Sequence, residues 1–159
     1  MGLVIGVIGE STFTEAVHEL LAEEVGRRLA RAGAALICGG LGGVMEAACR
    51  GARAAGGRTI GILPGSERTE ANPFVDVAVA TGMGQARNVL IVLSADALIA
   101  IGGGFGTLSE IALALRHGKP VVGLRTWEAV RGGRAAPVVS VQSADDAVRE
   151  ALRLAGEGH

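Results

Sequence analysis

The sequence is poor in cysteine, in aromatic residues and in net charge, and each shortage excludes a class of protein. Its two cysteines, Cys38 and Cys49, provide neither a disulfide framework nor the ligand spacing of a metal site. A formal net charge of −1, one Trp and no Tyr argue against the basic, aromatic-rich surface of a nucleic-acid-binding protein. We therefore expect no bound metal and no nucleic-acid partner.

Long apolar runs are missing as well. No run reaches the roughly 18 residues that a membrane span requires. The first residues, MGLVIGVIGES, lack the basic start and the long apolar core of a secretory signal peptide. We therefore expect a cytoplasmic protein without a membrane partner.

Glycine, by contrast, is abundant, with 26 residues among 159, and the glycines cluster where apolar runs end. Nearly half of the residues are apolar, and the length suits one domain over residues 1–159. Glycine at the end of a strand permits a tight turn or the close approach of a ligand to the backbone. The distribution favours a ligand-binding α/β protein.

Short β-branched runs alternate with amphipathic helical patterns along the chain. Strands are predicted at 3–8, 34–38, 59–63, 75–79, 97–101, 121–124 and 138–141. Helices are predicted at 14–32, 44–55, 85–93, 108–117 and 145–154, and an exposed loop or hairpin turn at 126–136. This alternation predicts a single-domain, Rossmann-like α/β fold with a doubly wound, mostly parallel sheet and helices on both faces.

Right-handed crossovers bring the strand-to-helix turns of such a sheet to one edge. Four turns are expected there, at residues 9–14, 39–43, 81–85 and 102–107. Ligands bind at this carboxyl edge, close to the point where the strand order reverses. The glycine clusters are therefore expected to meet at one crevice.

The strongest motif is AIGGGFGTLSE at residues 100–110, which leads from a buried strand into a helix. Glycines and a helix N-terminus expose main-chain N–H groups, which favours phosphate binding by Gly103, Gly104, Gly106 and the hydroxyl of Thr107. The motif is neither a Walker sequence nor GxGxxG, so it predicts neither ATP hydrolysis nor NAD binding. The alternative for Thr107 and Glu110 is a capping box at the start of the helix.

Two further turns carry weaker signals. Gly40, Gly42 and Gly43 are candidates for a wall around the nucleoside or phosphate part of a ligand, or for a merely permissive connection. Ser11 lies in the turn at 9–14, where Thr12 and the acid three residues later are best interpreted as another capping box.

Arg87 is placed early in a predicted helix, where a cation opposes the helix dipole. An anionic partner, either a ligand phosphate or Glu110, explains it better than an ordinary surface position, which stays open. The histidines, His18 among them, are scattered without metal-ligand spacing and are interpreted as surface or packing residues.

Three segments together resemble a known superfamily: GGLGGVMEAA at 39–48, ARN at 86–88 and GGGFGTLSE at 102–110. They are similar to the Rossmann-fold proteins often labelled "possible lysine decarboxylase". That superfamily includes LONELY GUY-type cytokinin-nucleotide phosphoribohydrolases and molybdenum-cofactor carrier proteins. The similarity spans roughly residues 4–124.

The hydrolase branch typically carries PGGxGTxxE, and its catalytic Glu and Arg fall on Glu110 and Arg87. Here Gly102 replaces the Pro of that pattern and Asn88 replaces the accompanying Lys. The resemblance therefore implies a carrier-like protein that binds a phosphate-bearing nucleotide-like or molybdopterin-type ligand, with no cofactor required. The alternative is a nucleoside 5′-monophosphate phosphoribohydrolase, in which an ionised Glu110 stabilises an oxocarbenium-like transition state.

The resemblance also implies a homo-oligomer, a dimer or a tetramer, for which the alanine-rich segments 44–55 and 111–115 are candidate contacts. Lysine decarboxylation is rejected on chemical grounds, since pyridoxal phosphate requires a lysine for its Schiff base. The one lysine, Lys119, is expected at the edge opposite the crevice.

Overall fold

The computed structural model describes residues 2–158. Its strands are β1 (Val4–Gly9), β2 (Ala35–Cys38), β3 (Thr59–Leu63), β4 (Val77–Ala80), β5 (Ala97–Ile101), β6 (Val121–Leu124), β7 (Val130–Arg131), β8 (Arg134–Ala135) and β9 (Val138–Val141). Seven of them form a parallel sheet in the order β4-β3-β2-β1-β5-β6-β9, and β7 and β8 form a separate hairpin. The strand order reverses between β1 and β5.

Five α-helices cover the two faces of the sheet. They are α1 (Ala16–Arg31), α2 (Val44–Ala54), α3 (Asn88–Ser94), α4 (Phe105–Arg116) and α5 (Ala144–Glu157). Residues alternate along β5, so that Ile99 and Ile101 pack with α1, α2 and α5, whereas Leu98 and Ala100 pack with α3 and α4. The doubly wound α/β fold with a parallel sheet is therefore confirmed.

Helices α1 and α2 pack so closely that glycine is required at both contact points. A Cβ at Gly26 would lie 1.9 Å from the carbonyl oxygen of Ala48, and a Cβ at Gly51 would lie 1.9 Å from that of Glu23. Buried alanines of α2 therefore serve packing within the chain, and a subunit contact through the rest of this helix stays a prediction. The oligomeric state itself stays a prediction.

Two element boundaries differ from the sequence-based ones in ways that matter for the site. The helix predicted at 108–117 begins at Phe105, because Gly104 is its N-cap and residues 105–107 already form its first turn. The helix predicted at 85–93 is a 3₁₀ turn at Gly84–Arg87 followed by α3. Within residues 2–158, no helix combines the length and apolarity needed to cross a membrane.

Candidate functional site

A cleft of about 980 Å³ opens at the carboxyl edge of the sheet, beside the strand-order reversal. Its walls come from the segments that follow β1, β2, β5 and β6, together with the 3₁₀ turn Gly84–Arg87. Parallel α/β sheets bind ligands in this position. The predicted crevice therefore exists, and the segment after β6, which the sequence predicts as an exposed loop, adds one wall to it.

The glycine turn, residues 102–107, forms one wall of the cleft. Gly103, Gly104, Gly106 and Thr107 all line it. Within the part of the chain that the structure describes, none of the main-chain amides of residues 103–107 donates a hydrogen bond to another protein group. Residues 105–107 are the first turn of α4, so their N–H groups have no intrahelical acceptor. Such a row of free donors at a helix N-terminus binds anions.

The carbonyl groups of the same turn are held by side chains from the segment after β6. The Thr126 hydroxyl donates to the Gly102 carbonyl over 2.6 Å. The Trp127 indole N–H donates to the Gly104 carbonyl over 2.9 Å. These two hydrogen bonds tie two carbonyl groups of the turn to the segment after β6 and leave its N–H donors free.

The glycines of the turn are required for different reasons. Gly103 has a φ of +105°, and a Cβ there would lie 2.4 Å from the Cβ of Thr107. Gly104 and Gly106 have no positive φ, and a Cβ on either would meet no atom within 4 Å. Glycine within a helix costs about 0.5–1 kcal/mol relative to alanine, and the fold gives no reason for that cost at Gly106. The open space beside both glycines is available to a ligand.

Both predicted capping boxes are wrong. Thr107 is the third residue of α4 rather than its N-cap, and its side chain is buried against Gly103. The N-cap of α1 is Glu15, with no side-chain cap hydrogen bond, so Thr12 is not the cap either. A capping box requires the hydroxyl residue to be the N-cap. The N-cap of α4 is instead Gly104, and that of α1 is Glu15.

Arg87 is buried beside the cleft, with 5% of its surface exposed, and is not an ordinary surface arginine. Its Nε donates to the Ile62 carbonyl over 2.8 Å, and its Nη1 donates to Gln85 and Asn88. Among residues 2–158, no carboxylate lies within 4 Å of it. Burial lowers the pKa of Arg87, and Glu110 only partly offsets this. A buried cation without a paired carboxylate favours an anion in the cleft.

Glu110 also lines the cleft, on the second turn of α4. Burial raises its pKa to about 7, although the positive charge of Arg87 acts in the opposite direction. This pKa acts against the expectation that Glu110 stays fully ionised. Because α4 begins at Phe105, Glu110 lies beyond the first turn, where the helix dipole has little effect. A carboxyl group with a pKa near 7 can both donate and accept a proton.

The second glycine cluster contributes less to the cleft than expected. Ser11 lines it, whereas Gly40, Gly42 and Gly43 do not. Gly40 has a φ of +77° and packs against Leu63, and a Cβ on Gly43 would lie 2.2 Å from the carbonyl oxygen of the residue before Ser11. These glycines let the turn after β2 pack against β3 and against the turn after β1.

A buried pair that sequence reasoning missed, Glu10 and His18, also lines the cleft. The His18 Nδ1 lies 2.5 Å from Glu10 Oε1, and Thr14 donates to the same carboxylate through both its amide and its hydroxyl. Burial raises the pKa of Glu10, but the hydrogen bonds from His18 and Thr14 outweigh it, so that the pKa lies below its ordinary value. The available signal was position, since Glu10 directly follows β1.

The same pair explains why glycine stands at position 102, where the hydrolase pattern has proline. Gly102 has a φ of +56°, which proline cannot adopt, and a Cβ there would lie 2.7 Å from His18 Nδ1. The departure from the pattern therefore accompanies a specific local packing.

Lys119 lies far from the cleft along the strands, because its Nζ donates to the Ala95 carbonyl, which precedes β5, over 2.7 Å. A Schiff base in the cleft is therefore out of its reach. Cys38 and Cys49 are buried thiols with their sulfur atoms 3.6 Å apart.

Two solved structures are similar to this chain over nearly its whole length. The molybdenum cofactor binding protein from the phototrophic bacterium Rippkaea orientalis shares 36% identity with a TM-score of 0.89, covering 97% of this chain and 98% of that one. The molybdenum cofactor carrier protein from Chlamydomonas reinhardtii shares 35% identity with a TM-score of 0.86, covering 98% and 99%.

Two relatives are similar in sequence. An uncharacterized protein of Archaeoglobus fulgidus is 49% identical over 130 residues, 82% of this chain and 85% of that protein. The cytokinin riboside 5′-monophosphate phosphoribohydrolase of Mycobacterium tuberculosis is 36% identical over 125 residues, 72% of this chain and 66% of that protein. The model of the SLOG cluster4 family matches residues 2–151. This chain therefore belongs to the SLOG cluster4 family.

Proposed function

We propose that the protein binds the phosphate group of a nucleotide-like small molecule at the glycine turn, as a molybdenum-cofactor-carrier-like protein. The observation that carries the proposal is the row of free amides at residues 103–107, facing the same cleft as the buried cation Arg87. The phosphate accepts hydrogen bonds from the amides of Gly103, Gly104, Gly106 and Thr107. Arg87 supplies the compensating charge.

A molybdopterin-type ligand is supported by the two full-length structural relatives, which are named for molybdenum cofactor binding and transport. The cleft volume of about 980 Å³ supports the same class, because it lies at the upper end of the roughly 300–1,000 Å³ of small-molecule sites. A phosphate alone would leave most of it unfilled. In this proposal the cofactor is cargo and is not required for activity.

A matched pair of glycine variants tests the phosphate site. Gly106→Ala should leave the fold intact, because no atom lies within 4 Å of the new Cβ, but should weaken AMP binding by crowding the anion. Gly156→Ala, on α5 and outside the cleft, has equally open space and should leave AMP binding unchanged. Calorimetric titration with AMP measures both, and a Gly106→Ala variant that binds AMP like the wild type would contradict the proposal.

Thermal unfolding and native mass spectrometry supplement the titration. A ligand at 100 times its Kd stabilises the fold by about 2.7 kcal/mol, so AMP at that excess should raise the Tm. Mass spectrometry of freshly purified protein should detect a retained pterin or nucleotide. Absence of any stabilisation by phosphorylated ligands would count against the phosphate site.

Phosphoribohydrolase activity is the second candidate, favoured by the carboxyl of Glu110 with its pKa of about 7 beside Arg87. In this alternative Glu110 orients and deprotonates the attacking water, and Arg87 holds the phosphate or polarises the departing base. AMP is incubated with the wild type and with Glu110→Gln, and free adenine is measured by chromatography. If the wild type releases adenine and Glu110→Gln does not, the protein is a hydrolase. If the wild type binds AMP without releasing adenine, the carrier function is supported.

A further inference from the structure

Aromatic residues are scarce in this chain, with three Phe and one Trp, yet two of them stack on each other beside the glycine turn. The rings of Phe105 and Trp127 stack with centroids 5.7 Å apart and planes 25° from parallel. Phe105 is 81% exposed, and Trp127 lines the cleft. A single exposed apolar residue is normal on a protein surface, so Phe105 is of interest because of its stacking partner and its place beside the glycine turn.

Phe105 belongs to the glycine turn, and Trp127 is hydrogen-bonded to it. Phe105 is the first residue of α4 and stands between Gly104 and Gly106. Trp127 is held by the hydrogen bond from its indole N–H to the Gly104 carbonyl, 2.9 Å long. The Trp ring is therefore fixed before any ligand arrives, which lowers the entropy lost when a second ring stacks on it.

We infer that Phe105 and Trp127 form the subsite for the planar nitrogen heterocycle of the phosphorylated ligand, a purine or a pterin. This inference rests on the proposed phosphate site at residues 103–107 and adds a neighbouring subsite for the ring of the same ligand. The phosphate is bound by the amides, and the ring stacks at Trp127, which Phe105 supports. The remaining cleft volume accommodates the atoms that link the two groups.

Ligands with and without a ring separate the two subsites. AMP and neopterin monophosphate carry a phosphate and a heterocycle, whereas ribose 5-phosphate carries the phosphate alone. Stacking of one base contributes about 1–3 kcal/mol, so calorimetry on the wild type should give at least one ring-bearing ligand about 10-fold tighter binding than ribose 5-phosphate. Trp127 is the only tryptophan, so AMP should also quench the intrinsic fluorescence while ribose 5-phosphate should not.

Two substitutions separate stacking from the indole hydrogen bond. Trp127→Leu should abolish the preference for the ring-bearing ligand, so that the ratio of its Kd to that of ribose 5-phosphate rises to about 1, whatever loss of the indole hydrogen bond does to both Kd values. Trp127→Phe, which keeps a ring and loses the N–H, should retain most of the preference. Leu20→Ala, at an exposed apolar residue of α1 outside the cleft, is the control and should change neither Kd.

The outcomes distinguish this inference from the proposed function. Equal affinity of the wild type for all three ligands overturns the ring subsite and leaves the phosphate site standing. A Trp127→Leu variant that weakens all ligands equally assigns Trp127 a purely structural role and overturns the subsite as well. If the wild type binds none of the three, the phosphate site and the ring subsite fall together.

Discussion

Replacing Glu110 with glutamine should make the protein more stable at neutral pH and change how its stability depends on pH. Burial raises the pKa of Glu110 to about 7 in the folded chain, from an ordinary value of 4.5. The folded state therefore binds the proton more tightly than the unfolded state does. Stability contributed by the neutral carboxyl is fully present below pH 4.5 and is lost as the pH rises through 7.

The size of the effect follows from the two pKa values. At about 1.4 kcal/mol per pKa unit, ionising Glu110 in the folded protein costs roughly 3 kcal/mol above pH 7. Glutamine has a similar shape and never ionises, so Glu110→Gln avoids this cost. In a domain of this size 1 kcal/mol corresponds to about 2–4 °C in Tm, and the variant should therefore unfold about 6–12 °C above the wild type at pH 8.

Urea unfolding at a series of pH values between 4.5 and 8.5 measures the difference in unfolding free energy between variant and wild type. The difference should rise through this window and level off above pH 7. Glu128→Gln, at an exposed residue on the mouth of the same cleft, is the matched control and should show no such rise. A difference for Glu110→Gln that is independent of pH would refute a raised pKa for Glu110 in the folded chain.

Four further substitutions test the packing of the helices and of the glycine turn. Gly26→Ala should destabilise the fold by about 1–3 kcal/mol, because its Cβ would lie 1.9 Å from a carbonyl oxygen of α2. Gly156→Ala has open space and should stabilise the fold by up to about 1 kcal/mol. Urea unfolding measures both changes. Gly102→Pro should cost about 3 kcal/mol or more, because proline cannot adopt a φ of +56°, and a near-normal Tm would contradict the described turn. Thr126→Val should cost about 1–3 kcal/mol by leaving the Gly102 carbonyl unpaired, and an unchanged urea midpoint would show that water replaces the hydroxyl.

Much of the fold could be predicted from the sequence, because parallel strands buried on both faces leave short β-branched runs between amphipathic helices. The strands Thr59–Leu63, Ala97–Ile101, Val121–Leu124 and Val138–Val141 lie where these runs predict them. The start of α4 was placed too late, because the pattern of large apolar residues begins only at Leu108. Gly104 and Gly106 add no apolar side chain to the pattern, so the sequence does not reveal the first turn of α4, which the tertiary structure stabilises.

The candidate site was predictable only in part. Motif and position together identified the glycine turn, Arg87, Glu110 and the edge of the sheet that they share. The pair of Glu10 and His18 was missed, because its members are eight residues apart and only the packing of α1 brings His18 onto the carboxylate. Trp127 was missed because a short segment rich in polar residues gives no periodic signal. The pKa of Glu110 depends on burial, which no local pattern reports.

The attachment of Thr126 and Trp127 to the glycine turn has a kinetic consequence. Two chain segments far apart in sequence are joined before any ligand arrives, so the conformational entropy of this wall is lost during folding and not during binding. We therefore expect ligand capture to proceed without an ordering step. Ligands of different affinity should then differ mainly in how fast they leave.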